Sequence, residues 1–344
     1  MTKTKTSSIY GFLLALILSP LLISCSNSKA ELDFKDGKDA LNYYSGYLEH
    51  IKGEKTSNSK SFVKEIQQWK QITDTVYKFI KADSLLSQDV AINERLFSIH
   101  DSIRSEMLRL TETWKCSYQD VISIKEATTP YRNDDDIKKA VTEAEPFFLS
   151  LDTINIGKIN TKKALAKYRF LLKITKENGI NSIDELKSYL RQEDIAFRCF
   201  LQNINDLDGE SLSDITKDTD KICKSIFEAS RIGKIPSKEV MIYMSIRTIR
   251  RLLQNSLVCV EEIESNNVKD ANQVNAYLWM IVQPFISIDD FTIATIADQD
   301  RKKFSELARQ LPHSIKFAKS FNIDQRTLNT LLPQQLLKIY ISSL

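Results

Sequence analysis

Three arginines within five positions are the residues whose type and spacing best suit a binding site. Arg247 and Arg251 are four residues apart, so they share one face of a helix, with Arg250 beside them. Guanidinium groups bind carboxylates and phosphates through paired hydrogen bonds. These three arginines are therefore the best candidate in the chain for an anion-binding site. A solvated stripe, or internal ion pairs with acidic residues of neighbouring helices, is the simpler interpretation.

Residues that commonly carry catalysis are scattered along the chain. The three histidines, His50, His100 and His313, occur in no metal-binding spacing, although Glu54 follows His50 and Asp101 follows His100. Neither a phosphate-binding glycine motif nor a nucleophile-elbow motif occurs. We predict no cofactor, no metal site and no catalytic residue. An enzyme would need carboxylates brought together from distant segments.

The first 25 residues combine a basic start, an apolar run and a cysteine. Lys3 and Lys5 precede the apolar run from Ile9 to Leu18, and residues 22–25 are leucine, isoleucine, serine and cysteine. This order is typical of a secretory signal, and the run is shorter than the ~20 residues that cross a bilayer. The four residues that end at Cys25 resemble the lipobox of bacterial lipoproteins.

The resemblance to bacterial lipoproteins implies a lipid anchor. It implies that the thiol of Cys25 receives a diacylglycerol, that residues 1–24 are removed, and that the new amino group is acylated. Several acyl chains, at ~0.8 kcal/mol per buried methylene, hold a protein on a membrane without a spanning helix. The expected location is the bacterial cell envelope, on the outer membrane, with residues 25–35 as a tether. The alternative is an ordinary secretory signal with a chance cysteine.

Composition predicts an all-α protein without a nucleic-acid partner. The chain of 344 residues contains eight Gly and seven Pro, and this scarcity of turn-forming residues favours long helices over many short strands. Once Lys3 and Lys5 are removed, 46 Lys and Arg stand against 45 Asp and Glu. A nearly neutral chain with mixed signs gives no indication of nucleic-acid binding.

Two apolar seams predict a long N-terminal helical hairpin. Apolar residues recur by steps of three and four from Phe62 to Phe79 and again from Ile92 to Trp114. A shorter amphipathic helix precedes them and ends near Gly53. We assign residues 36–116 to this hairpin region. The gap between the two seams is short, so the alternative is a single bent helix.

The remainder is predicted as a connection followed by a helical bundle. Residues 117–158 contain Pro130, an acidic run at Asp134–Asp136 and Pro146, and we predict an irregular connection there, with one helix that follows the acidic run and ends by Pro146. The acidic run favours helix capping over calcium binding. Residues 159–344 are predicted as a C-terminal helical bundle around an apolar central helix, Val240 to Ile263.

Four cysteines lie beyond Cys25, and their oxidation state stays open. They are Cys116, Cys199, Cys223 and Cys259. Export would permit disulfides, but the spacing matches no metal site, and small buried thiols are the simpler interpretation.

These observations favour a lipid-anchored envelope protein with a non-catalytic binding or scaffold role. Its expected partners are the membrane, through the lipid on Cys25, and either an envelope protein or a small anionic ligand. Two alternatives are a helical envelope hydrolase acting on glycan or peptide, and a solute-binding lipoprotein that uses the arginines. A cleft that holds a histidine with two or more carboxylates would favour the hydrolase, and a closed pocket around Arg247 and Arg251 would favour solute binding.

Overall fold

The computed structural model describes residues 34–56, 58–157, 179–206 and 224–344, with isolated positions between these ranges. Cys25, the predicted signal peptide, most of the predicted tether and Cys223 lie outside the described residues. So do most of residues 158–178 and 207–223, in the first part of the predicted C-terminal bundle. Within the described ranges every regular element is a helix, which confirms the predicted all-α, multi-helix fold.

The helices are numbered here in chain order. They are α1 (Gly37–Gly53), α2 (Ser59–Ala82), α3 (Ser84–Gln88), α4 (Val90–Leu110), α5 (Tyr118–Thr128), α6 (Asp135–Asp152), α7 (Ile183–Leu201), α8 (Ser237–Glu264), α9 (Ala271–Ile286), α10 (Asp290–Ala294), α11 (Asp298–Ala318), α12 (Gln325–Thr330) and α13 (Pro333–Ser343). Residues 224–232 are also helical.

Polar side chains cap the starts of most of these helices. Asp134 accepts the backbone N–H of Ile137 at the start of α6, as predicted for the acidic run. Ser182 accepts the N–H of Glu185 at the start of α7, and the Glu185 carboxylate accepts the N–H of Asn181. Each bond satisfies a donor that the helix itself leaves without a partner.

The predicted hairpin is present, and α1 packs against both of its long helices. The seam residues of α2 and α4 are buried, among them Phe62, Trp69 and Ile103. The Tyr47 hydroxyl of α1 donates to the carbonyl oxygen of Glu65 at 2.9 Å. Arg109, at the end of α4, donates to carbonyl oxygens at the end of α1. Helix α1 therefore runs antiparallel to α2 and parallel to α4.

The prediction of an irregular connection over 117–158 needs correction. Helices α5 and α6 occupy most of this range, and Pro146 lies inside α6 instead of ending it. An internal proline costs about 3 kcal/mol because it removes a backbone hydrogen bond. Phe148 and Leu151, which follow the proline, are buried, and their burial offsets that cost. Proline also lies inside α9 and α11, at Pro284 and Pro312.

The apolar side chains form two cores, and α8 belongs to both. The first core combines the N-terminal helices with α9, α11 and α13. The second core combines α6, α7 and the helix at 224–232. Residues of α8 up to Ile246 face the second core, and residues from Ile249 onward face the first. Neither core coincides with one predicted domain, and the three arginines of α8 lie where the two cores meet.

Candidate functional site

The three predicted arginines are all buried in the described structure. Arg247, Arg250 and Arg251 are about 5–6% exposed, although they project from a helix with apolar residues on most sides. A buried cation without a partner would cost several kcal/mol. Their neighbours therefore decide what the cluster can do.

Glu193 of α7 lies between two of these arginines. Its carboxylate is fully buried and accepts hydrogen bonds from Nε and a terminal nitrogen of Arg247, the first at 2.7 Å. A terminal nitrogen of Arg251 lies 2.8 Å from the same carboxylate. This two-point contact with Arg247 is the strongest geometry available to an arginine and a carboxylate.

Arg250 faces a different pair of carboxylates. It donates to Asp152 at the end of α6 at 2.6 Å, and its other terminal nitrogen lies 3.6 Å from Asp300 in the first turn of α11. Lys303 lies 3.9 Å from Asp300 and 4.0 Å from Asp152. Three helices, α6, α8 and α11, are thus joined through one guanidinium group.

Aromatic rings and a further ion pair surround the arginines. The guanidinium carbon of Arg251 lies 4.4 Å from the ring centre of Phe197, within the range of a cation–π contact. Arg198 donates to Asp194 at 2.9 Å and to the carbonyl oxygen of Leu151 at 2.9 Å, which links α7 to α6.

Burial is the largest influence on the pKa of two carboxyl groups in the cluster. Removal from water raises the pKa of Asp194 above its ordinary value, and the nearby Arg198 opposes this. Burial likewise raises the pKa of Asp300, opposed mainly by Arg250. At both groups the effect of burial on the pKa outweighs the opposing effect of the nearby cations.

The space inside the cluster is far smaller than a ligand pocket. A cavity of about 10 Å³ lies among Phe148, Leu190, Asp194 and the arginines, enough for about one water molecule. The geometry corresponds to the alternative of internal ion pairs with neighbouring helices. An anion-binding role for Arg247, Arg250 and Arg251 stays a prediction.

A larger open groove lies elsewhere, between the start of α2, the end of α5, the end of α10 and the start of α11. Its volume is about 540 Å³, within the range of small-molecule sites. Its charged lining residues are Lys60, Arg132, Arg301 and Glu126. Arg301 pairs with Glu126 at 2.5 Å, which leaves the lining with an excess of positive charge.

Hydrogen bonds between the walls fix the shape of this groove. Gln67 of α2 donates to the carbonyl oxygen of Ala127 at 2.6 Å, and Thr129 donates to that of Asp290 at 2.8 Å. Lys70 contacts Asp290 at 3.2 Å. Sequence reasoning missed this groove because its basic residues come from three distant segments and share no local pattern.

The histidines divide between a core network and the surface. His100 is buried, and its Nδ1 lies 2.7 Å from the Tyr44 hydroxyl, which also accepts a hydrogen bond from Trp69 at 3.2 Å. His50 is half exposed and lies 3.8 Å from Glu54 and 3.5 Å from Glu65. Among the described residues, no set of His, Cys, Asp and Glu side chains has the geometry of a metal site.

No disulfide joins the cysteines that the structure describes, Cys116, Cys199 and Cys259. Cys199 and Cys259 are buried and Cys116 is partly buried. Burial raises the pKa of the Cys116 thiol to about 12, which makes it a poor nucleophile at neutral pH. This matches the interpretation of these three residues as small buried side chains.

Comparisons of this chain with known proteins found no match. The sequence matches no protein-family model and no curated protein, and the fold matches no solved structure. In the part of the chain that the structure describes, no helix combines the length and apolar character that a membrane span requires.

Proposed function

We propose that this chain is a lipid-anchored, non-catalytic binding protein of the bacterial cell envelope, and that it holds a small anionic ligand in the groove between α2, α5 and α11. The lipobox-like residues that end at Cys25 support the anchor. The basic lining of a groove of ligand size is the single observation that carries the binding role.

Three cationic groups on different helices or loops converge on the groove. Lys60, Arg132 and Arg301 are exposed at its walls, and Glu126 alone opposes them there. The groove also borders Ser59, the first residue of the long helix α2. The N-terminus of a helix carries a partial positive charge that favours anions. Ligands with carboxylate or phosphate groups suit this environment.

The buried arginine cluster supports the same function indirectly. Through Glu193, Asp152 and Asp300 it connects the central helix to α6, α7 and α11. Arg301, which lines the groove, follows directly after Asp300 in the first turn of α11. The cluster therefore fixes one wall of the groove, and preorganised walls lower the entropic cost of binding.

The groove can be tested with citrate and pyrophosphate as probes. We expect both anions to bind the purified protein in calorimetric titrations at low salt. Arg132→Ala or Lys60→Ala should each weaken binding about tenfold, since a charge-assisted hydrogen bond contributes about 1.5 kcal/mol. Glu126→Gln should strengthen binding, because it removes the one opposing charge from the lining.

Lys316→Ala provides a matched control, because Lys316 is an exposed lysine near the end of α11 and outside the groove lining. Its affinity for both anions should equal that of the wild type. Anion binding that weakens equally in Lys316→Ala and Arg132→Ala would reflect overall charge and would reject the groove as the site.

A second candidate function is a hydrolase acting on envelope glycan or peptide. The observation in its favour is His50, which is half exposed and lies near the exposed carboxylate of Glu54 and the buried carboxylate of Glu65. Neither cavity described above includes these residues. Release of soluble fragments from envelope glycan or peptide, abolished in His50→Ala, would favour the hydrolase over the binding protein.

A further inference from the structure

Three large apolar side chains are exposed at one end of the N-terminal hairpin. Leu85 is 80% exposed, Val90 is 67% exposed and Phe97 is 59% exposed. Leu85 lies in the short helix α3, and Val90 and Phe97 lie seven residues apart on one face of α4. We refer to Leu85, Val90 and Phe97 as the apolar tip. Single exposed apolar residues are common on protein surfaces, so a second observation is needed before the tip can be interpreted as a binding surface.

The described chain begins at this same end of the molecule. The Phe34 ring packs on Phe79 near the end of α2, with ring centres 5.2 Å apart. At Gly37, a Cβ atom would lie 2.9 Å from side-chain atoms of both Leu86 and Ile92. Residues 34–37 are therefore direct neighbours of the segments that carry the tip.

The distance to the proposed anchor places the tip close to a bilayer. Nine residues lead from Cys25 to Phe34, and even a fully extended chain of that length spans at most about 30 Å. If lipid on Cys25 lies in a membrane, the end of the protein that carries the tip is held next to the membrane surface. This argument rests on the lipid anchor of the proposed function.

We infer that the apolar tip docks on the membrane surface, with Leu85, Val90 and Phe97 inserted among the lipid headgroups and upper acyl chains. Exposed lysines at the same end, Lys35 and Lys81, can extend their charged groups toward the headgroups. The aspartates Asp83 and Asp89 accept backbone N–H groups of α3 and α4, so their charges are partly satisfied within the protein. The anchor and the tip would together orient the groove relative to the membrane.

The insertion can be measured with tryptophan reporters in the mature, lipidated protein. Phe97→Trp and Leu85→Trp should each be reconstituted into phosphatidylcholine vesicles with or without brominated acyl chains, which quench nearby tryptophan. Ile232→Trp is the control, because Ile232 is 61% exposed but lies beside the second core. The native tryptophans contribute a constant background fluorescence, which is measured on the wild-type protein and subtracted.

We expect the fluorescence added by Phe97→Trp and Leu85→Trp to fall about twofold in brominated vesicles, as for side chains placed 5–10 Å into the interface. The fluorescence added by Ile232→Trp should not change. Vesicle flotation of the wild-type protein tests the anchor separately. Protein that floats while both tip reporters respond like Ile232→Trp would overturn the tip and leave the anchor intact. Protein that does not float would overturn the anchor.

Discussion

Glu193→Gln is expected to lower the free energy of unfolding by about 3–5 kcal/mol, because it leaves two buried arginines without their shared carboxylate. The amide keeps the shape of the side chain but cannot balance the charges of Arg247 and Arg251. Both guanidinium groups are nearly inaccessible to water. Urea unfolding followed by far-ultraviolet circular dichroism measures the change.

Fluorescence of the three tryptophans can distinguish unfolding of the first core from unfolding of the second. Trp69 and Trp114 belong to the first core and Trp279 packs against it, whereas the described residues of the second core include none. Loss of the Glu193 contacts should release the second core first, so the dichroism transition should precede the fluorescence transition.

Two further variants separate a charge effect from a packing effect. Replacing Glu193, Arg247 and Arg251 together with Leu or Met should be neutral or stabilising, since apolar residues can replace a complete buried ion network. Glu261→Gln, at an exposed position of the same central helix, should change little. A loss below about 1 kcal/mol in Glu193→Gln would contradict the buried pairing.

Trp69→Ala is expected to destabilise the first core by about 3–5 kcal/mol, the usual cost of truncating a buried aromatic residue. Trp69 is 1% exposed, its ring lies 5.2 Å from that of His100, and its N–H reaches the Tyr44 hydroxyl. The truncation therefore opens a cavity and removes a donor from a buried network. Equilibrium unfolding in urea is the appropriate measurement.

Phe97→Ala is the matched comparison for Trp69→Ala. Phe97 is also an aromatic residue of the hairpin helices, but it is exposed, so its truncation should change stability by no more than about 0.5 kcal/mol. Equal losses in the two variants would mean that the α2 seam does not face the core as described.

Local patterns predicted much of the helical structure but not where the helices meet. The spacing of Phe62, Trp69 and Ile103 was sufficient to identify buried faces, because helical periodicity is a local property. The continuation of α6 past Pro146 was not predictable, because it depends on burial of Phe148 in a core built from distant segments. The two cores were missed for the same reason, since the first joins the two ends of the chain.

The candidate site was likewise predictable only in part. The sequence identified Arg247, Arg250 and Arg251 as unusual within an apolar helix, but their partners Glu193 and Asp300 have no spacing relation to them. Internal pairing was one of the alternatives considered for these arginines, and the structure supplies the carboxylates. The groove had no sequence signal, because its cations converge only in the folded chain.

The claim that this protein works from a lipid anchor is tested most directly by mass spectrometry of its N-terminal peptide, purified from the membranes of an expressing bacterium. We expect a peptide that begins at Cys25 and carries a diacylglycerol and an amide-linked acyl chain. Cys25→Ala should give the unprocessed chain without lipid. A mature protein that begins at another residue, or that begins at Cys25 without lipid, would contradict the proposed lipid anchor.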